Sequence, residues 1–325
     1  MVNLQFKMWV LVVLMFGILY GVITGIGSYM GAGSASTYII LAVLFMGFQY
    51  LIGPSMVSML MRVKWVSERE EPELYQMVAE LAKEAKIPKP KVGVSQINLP
   101  NAFAFGRTLG DGRVCVTKGI VGILTKEELR AVLGHEISHL KHRDMMIMTL
   151  LSVIPLILYW LAWNFIWGGS LGGRRQNGGY AALIGIGAML LYFLTNLLVL
   201  YGSRIREYYA DERSVKLGNP PQNLASALYK LVYSSARLKK EPRAEAELKR
   251  IEGVKAFFLN DVSRAENEIK ELKEIDKDFS GTIDQNELLV LRSREVRPSA
   301  AEKLLEIFTT HPNMLKRIKR LATLT

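Results

Sequence analysis

One cysteine, Cys115, is all the sequence holds, so a disulfide within the chain and a four-thiolate metal site are both excluded. Histidine is nearly as scarce, with four in 325 residues. Charge is missing from four long apolar stretches and crowded into the segments between and after them. That pattern excludes a single soluble globule and points to a polytopic membrane protein with soluble portions. Also absent is any basic stretch interleaved with stacking aromatics, so nucleic acid is not an expected partner despite the net charge of +11. Much of the basic excess flanks the apolar runs, where it suits an anionic membrane face. A lone cysteine also fits a reducing compartment.

The apolar runs are Met8–Gly27, Thr37–Met61 (broken late by Pro54), Met145–Trp167 and Tyr180–Tyr201. Each is long enough to cross about 30 Å of hydrocarbon. With only Lys7 before it and a second run close behind, the first reads as a span rather than a cleaved signal. Tyr159, Trp160, Trp163, Trp167, Tyr192 and Tyr201 are aromatics of the kind found at membrane interfaces. The connection Ser28–Ser36 has no Lys or Arg, whereas the other ends carry Arg62, Lys64 and Arg69, then Lys141 and Arg143, then Arg204 and Arg206. Those ends are expected to be cytoplasmic. Arg174 and Arg175 fall on the expected outer side, so the last two runs read either as full spans or as a hairpin that does not fully cross.

Within the soluble stretches, Glu73–Lys86 reads as an amphipathic helix, and Lys91–Val94 and Arg113–Thr117 as short strands. Thr125-Lys126-Glu127-Glu128 is a capping box, with Leu124 and Leu129 at staple positions, so a helix is predicted to start at Thr125. That helix carries His135-Glu136-Ile137-Ser138-His139. Residues four apart share a face, so both imidazoles can reach one zinc ion, with Glu136 beside them as general base. Zinc with three protein ligands and an open position lowers the pKa of its water to about 7. His142, one turn on, reads as a surface residue. For the third ligand the best placed is Glu207, with Asp211 four residues later to orient an imidazole through its other N–H.

These residues resemble the HtpX-like membrane zinc metalloproteases, a gluzincin group that also contains the CaaX prenyl endopeptidases. The resemblance covers nearly the whole chain: two apolar runs, His-Glu-x-x-His, two more runs, then Glu-x-x-x-Asp. Asn101-Ala102-Phe103-Ala104 is similar to the group's edge-strand motif, and His311-Pro312-Asn313-Met314-Leu315-Lys316-Arg317-Ile318 to its C-terminal motif. The resemblance implies one zinc per chain on His135, His139 and Glu207. It implies Glu136 as base, His311 as oxyanion donor, Asp211 as a supporting residue, and Asn101 to Ala104 as the substrate main-chain site. Arg317 is placed either to pair with Asp211 or to cap the site.

The fold class that follows is mainly α: about four membrane helices with a gluzincin-type α+β protease domain and a small sheet. Residues 1–61 hold two spans, 62–144 the first part of the protease domain, 145–201 a membrane hairpin, and 202–325 the second part. The implied role is cleavage of misfolded or damaged membrane proteins by a multi-pass plasma-membrane enzyme whose protease domain faces the cytoplasm. The alternatives are prenyl-peptide cleavage and a non-catalytic, calcium-responsive membrane scaffold. The calcium reading arises because Asp276 to Glu287 fits a twelve-residue EF-hand loop within an insertion at about 255–296. Asp276, Asp278, Ser280, Asp284 and Glu287 would offer side-chain oxygens, Thr282 its carbonyl, and Gly281 the turn. No second loop pairs with it, so it reads either as a Ca²⁺ site or as an ion-free acidic turn.

Overall fold

The computed structural model describes residues 10, 13–14, 17–18, 35–163, 165–166, 178–238, 259, 264–273, 275–278, 280–293 and 300–325. Most of the first apolar run, the connection with Arg174 and Arg175, and the start of the expected insertion lie outside the described residues. In chain order the elements are α1 (Ala35–Leu60), β1 (Val63–Trp65), α2 (Pro72–Ala85), β2 (Lys91–Ser95), β3 (Ala102–Phe105) and β4 (Arg113–Thr117). Then come α3 (Lys126–Lys141), α4 (Asp144–Trp163), α5 (Gly178–Lys216), α6 (Pro221–Leu238), α7 (Ala265–Leu272), α8 (Gln285–Ser293), α9 (Ala300–Glu306) and α10 (Met314–Ala322).

The chain divides into two compact units, Met1–Ile52 with Met146–Gly202, and Gly53–Met145 with Ser203–Thr325. In the first, α4 and α5 are joined by an aromatic contact between Tyr159 and Tyr192 at 5.4 Å, and Tyr159 also packs on Trp163 of its own helix at 6.2 Å. Among the described residues, one helix, Ala182–Lys216, is long and apolar enough to cross a membrane. Pro54 lies inside α1 rather than breaking it. A proline costs a helix one N–H bond, and on the following turn the Ser58 hydroxyl donates to the Pro54 carbonyl, 2.8 Å away.

The second unit is built on a four-stranded sheet of order β1-β2-β4-β3, in which β2 and β4 are parallel and the outer pairs antiparallel. Strand alternation gives the sheet two buried faces. Val92, Val114, Val116, Ala102 and Ala104 join the main core with α2, α3, α6 and α10. Cys115, Phe103 and Phe105 join a smaller core with Val57 and Met61 from the end of α1. Helix α2 begins with Pro72, buries Leu74, Val78, Leu81 and Ala85, and ends where Lys86 turns left-handed (φ 57°).

Helix α3 starts as its sequence dictates. The Glu128 N–H donates to the Thr125 hydroxyl and the Thr125 N–H to the Glu128 carboxylate. Glu128 also takes hydrogen bonds from Ser226 and Lys230 of α6, so the cap is tied to the neighbouring helix. Further along α3, Gly134 permits close approach by the end of α5. A Cβ there would lie 2.5 Å from Asn219 Nδ2 and 2.8 Å from Ser214 Oγ. Ser214 Oγ instead donates to the Ala131 carbonyl at 2.6 Å, and Arg130 to Asn219 at 2.6 Å.

Candidate active site

That crossing sets the imidazoles of α3 against the carboxylates of α5. His135 Nε2 and His139 Nε2 are 3.1 Å apart. Glu207 Oε2 is 3.5 Å from the first and Oε1 3.4 Å from the second. Three ligands at zinc-bond lengths of about 2.0–2.2 Å in a tetrahedron stand about 3.3–3.5 Å from one another. The donor set therefore fits zinc in type and in spacing.

The other ring nitrogens make the same point. His135 Nδ1 is 2.8 Å from Asp211 Oδ1, and His139 Nδ1 is 2.7 Å from Asp144 Oδ2. When the rings are neutral with the proton on Nδ1, toward these carboxylates, the Nε2 lone pairs face each other and Glu207, an arrangement that suits a cation between them. Charge balance agrees. Glu136, Asp144, Glu207 and Asp211 are all buried here, against two buried guanidiniums, Arg206 and Arg317. Counted with both imidazoles neutral, as metal ligands must be, four acids less two cations leaves an excess of two negative charges, which a divalent ion neutralises.

Arg317 is fully buried and both pairs with Asp211 and caps the site. Its Nε and Nη2 donate to the two Asp211 oxygens at 2.9 and 2.7 Å, and Nη1 is 3.1 Å from Glu207 Oε2. Burial disfavours the charge on Glu207, but His311, Arg317 and hydrogen bonds from both imidazoles outweigh it and hold this carboxyl well below its ordinary range. Burial likewise opposes the charge on Asp211, and Arg317 reverses the balance. Glu136 has no such compensation: burial pushes it up, despite the nearby histidines. Burial works against protons on the two imidazoles too, yet their carboxylate partners win, and His139 is pushed up to about 10.

The structure brings His135, Glu136, His139, Glu207, Asp211, His311 and Arg317 together. His311 Nδ1 lies 3.4 Å from Glu207 Oε2, and neither ring nitrogen has a hydrogen-bond partner among the described residues. His142 caps the end of α3 and stands outside the cluster. β3 pairs only with β4, and the Ala104 N–H donates to the Glu136 carboxylate, which puts the strand edge beside the base position. The Phe103 ring turns the other way, stacked on Phe105 at 5.8 Å in the smaller core, so only its backbone can serve a substrate. Asn101 is fully buried, and its Oδ1 accepts the Leu259 N–H at 2.9 Å, while the Leu259 carbonyl accepts from Arg317 at 3.0 Å. Asn101 thus holds a main-chain N–H of the protein itself, as the sequence reading assigns to a substrate.

Asp144 and Arg206 went unread in the sequence as site residues. Arg206 Nη2 is 3.1 Å from Asp144 Oδ2, the oxygen that faces His139, so each imidazole has a carboxylate and a guanidinium behind it. The only signal was the pair of charges flanking apolar runs, which read as membrane-edge residues.

The calcium candidate is a separate cluster. Carboxylate oxygens of Asp276, Asp278 and Glu287 lie within 4.8 Å of one another, and Gly281 makes the turn with φ 75°. Asp276 accepts from Ser280, Gly281 and the Tyr229 hydroxyl, Asp278 from Ser280, and Glu287 from Lys277 and Asp284. The Ser280 and Thr282 hydroxyls bond to each other at 2.9 Å.

A small sheet carrying an edge strand beside a His-Glu-x-x-His helix, with a glutamate on a second helix closing the cluster, defines a gluzincin-type metallopeptidase. The family model described as "Peptidase family M48" matches residues 68–325, and the chain belongs to that family and is a metalloprotease. A "Protease HtpX homolog" of Methanothermobacter thermautotrophicus is 51% identical over 230 residues, covering 71% of this chain and 86% of that protein. Another, of Moorella thermoacetica, is 39% identical over 70% of this chain and 76% of its own. In fold, the chain is similar to the crystal structure of S. mikatae Ste24p, with a TM-score of 0.50 and 17% identity over 98% of this chain and 65% of that one.

Proposed function

We propose that this protein is a membrane-bound zinc endopeptidase that cleaves misfolded or damaged membrane proteins at the cytoplasmic face, with His135, His139 and Glu207 as metal ligands. The observation that carries the reading is the spacing of the three ligand groups, 3.1, 3.4 and 3.5 Å apart, each imidazole backed by its own carboxylate. Zinc, when bound, supplies Lewis acidity to the scissile carbonyl and to water. Glu136, whose carboxyl is raised by burial, takes the proton of the attacking water and returns it to the leaving amine. His311, with its unpartnered ring nitrogens, donates to the oxygen that gains charge. The free edge of β3 takes the peptide as an added strand.

The membrane location rests on the four uncharged runs and on exposed Leu183, Ile186, Leu190, Phe193 and Leu194 along α5. We read all four runs as spans. The test is paired: zinc content and cleavage of casein or of the chain itself, for wild type and Glu136→Gln in detergent. One zinc in both, with turnover lowered about 10²–10⁴-fold in the variant, is expected. Absence of zinc from both sinks the metal assignment. The loop Asp276–Glu287 is read as a Ca²⁺ site that braces the chain between Glu207 and His311. Millimolar Ca²⁺ should then raise the melting temperature of wild type and leave Asp276→Asn unchanged.

A further inference from the structure

At the end of the sheet where Lys91 and Arg113 are paired, a cavity of about 360 Å³ opens between the last turns of α1 and the starts of β2 and β4. Lys91 and Arg113, register partners on β2 and β4, line it together with Trp65, Met59 and the hydroxyl residues Ser55 and Ser58. The Arg113 guanidinium carbon lies 5.8 Å from the Trp65 ring centroid and 5.6 Å from that of Phe105, so two aromatic rings flank it. Among the described residues this guanidinium makes one hydrogen bond, from Nη2 to Asp111 at 2.9 Å, and Asp111 is shared with Arg107. Nε is buried without an acceptor, and Nη1 is neither bonded nor buried. Lys91 is exposed and has no ion-pair partner among the described residues. The cavity therefore presents two cations short of acceptors, one of them flanked by aromatic rings.

We propose that this cavity is a binding site for the phosphodiester of an anionic phospholipid. A phosphate oxygen supplies the acceptor that Arg113 lacks, and Lys91 neutralises the remaining charge. The lipid, rather than free phosphate, is favoured by what surrounds the cations. Met56, Met59 and Leu60 of α1 are exposed beside the cavity, and Trp65 is 40% exposed at its edge. An apolar helix end, an indole and a basic pair together suit a headgroup with its acyl chains along α1. The proposal rests on the membrane reading of α1 and is independent of the catalytic one.

The test is native mass spectrometry of the full chain in mild detergent, titrated with phosphatidylglycerol, phosphatidylcholine and inorganic phosphate. One phosphatidylglycerol per chain is expected, in preference to phosphatidylcholine, whose choline would face Lys91 and Arg113. Arg113→Gln should weaken retention, but it also strips Asp111 of a partner and can disturb folding. Lys91→Glu, on the exposed rim, avoids that and should weaken retention at least about tenfold. Equal retention in Lys91→Glu and wild type overturns the proposal. Inorganic phosphate binding as tightly as the lipid overturns the lipid assignment. Recovery of the chain from the soluble fraction without detergent is a different failure, that of the membrane reading itself.

Discussion

Asp144 meets His139 because Arg143 adopts a left-handed backbone (φ 53°) that turns the chain back on itself just past α3. Sequence spacing showed His135 and His139 on one face with Glu136 beside it, since helical periodicity is local information. It also made Glu207 and Asp211 a pair. It gave no hint of Asp144, because a non-glycine residue in the left-handed region leaves no pattern to read. Replacing Asp144 by Asn substitutes a weak acceptor for a carboxylate behind His139. Zinc affinity should fall about 10–100-fold while the fold persists, as measured by competition with a chromophoric chelator. The raised imidazoles have a consequence of definite sign. Metal-free His139, pushed up to about 10, holds a proton at neutral pH that zinc must displace. Zinc binding should therefore release protons and tighten as pH rises; calorimetry in buffers of different ionisation heat would read the number released.

At the scale of elements, the capping box of α3 was legible because all its atoms lie within four residues. Thr125→Ala should cost about 0.5–2 kcal/mol of stability in a denaturant titration. The crossing of α3 and α5 was not legible. Gly134 looks like an unremarkable helix interior until Ser214 and Asn219 arrive from far along the chain. Gly134→Leu should destabilise by about 1–3 kcal/mol through overpacking. It should also lower zinc affinity, because the displaced helix carries Glu207. Thermal melting with and without added zinc separates the two effects. Pro54 shows the opposite failure, where a breaker signal was overridden: the residue sits inside α1 with its turn supported by Ser58.

Across the whole molecule, the candidate site draws on α3, α5 and the start of α10, three stretches separated by the apolar hairpin and by the calcium-loop segment. With the imidazoles neutral, their excess of two buried negative charges would be met by a divalent metal, which links metal binding to folding. Chelation by 1,10-phenanthroline should lower the melting midpoint, and stoichiometric zinc should restore it, by the linkage between ligand and native state. An unchanged midpoint would mean the acids are neutralised some other way. The broad organisation was readable because apolar runs and charge are properties of whole segments. Side-chain convergence was readable only where a known family's motifs stood in.

The order in which the chain is synthesised gives Arg317 a second meaning. A ribosome delivers His135–His139 first, Glu207–Asp211 next, and His311–Arg317 after both. Until that last stretch emerges, Asp211 and Glu207 lack the guanidinium that pairs with them, so the buried site is completed only when the C-terminal helix arrives.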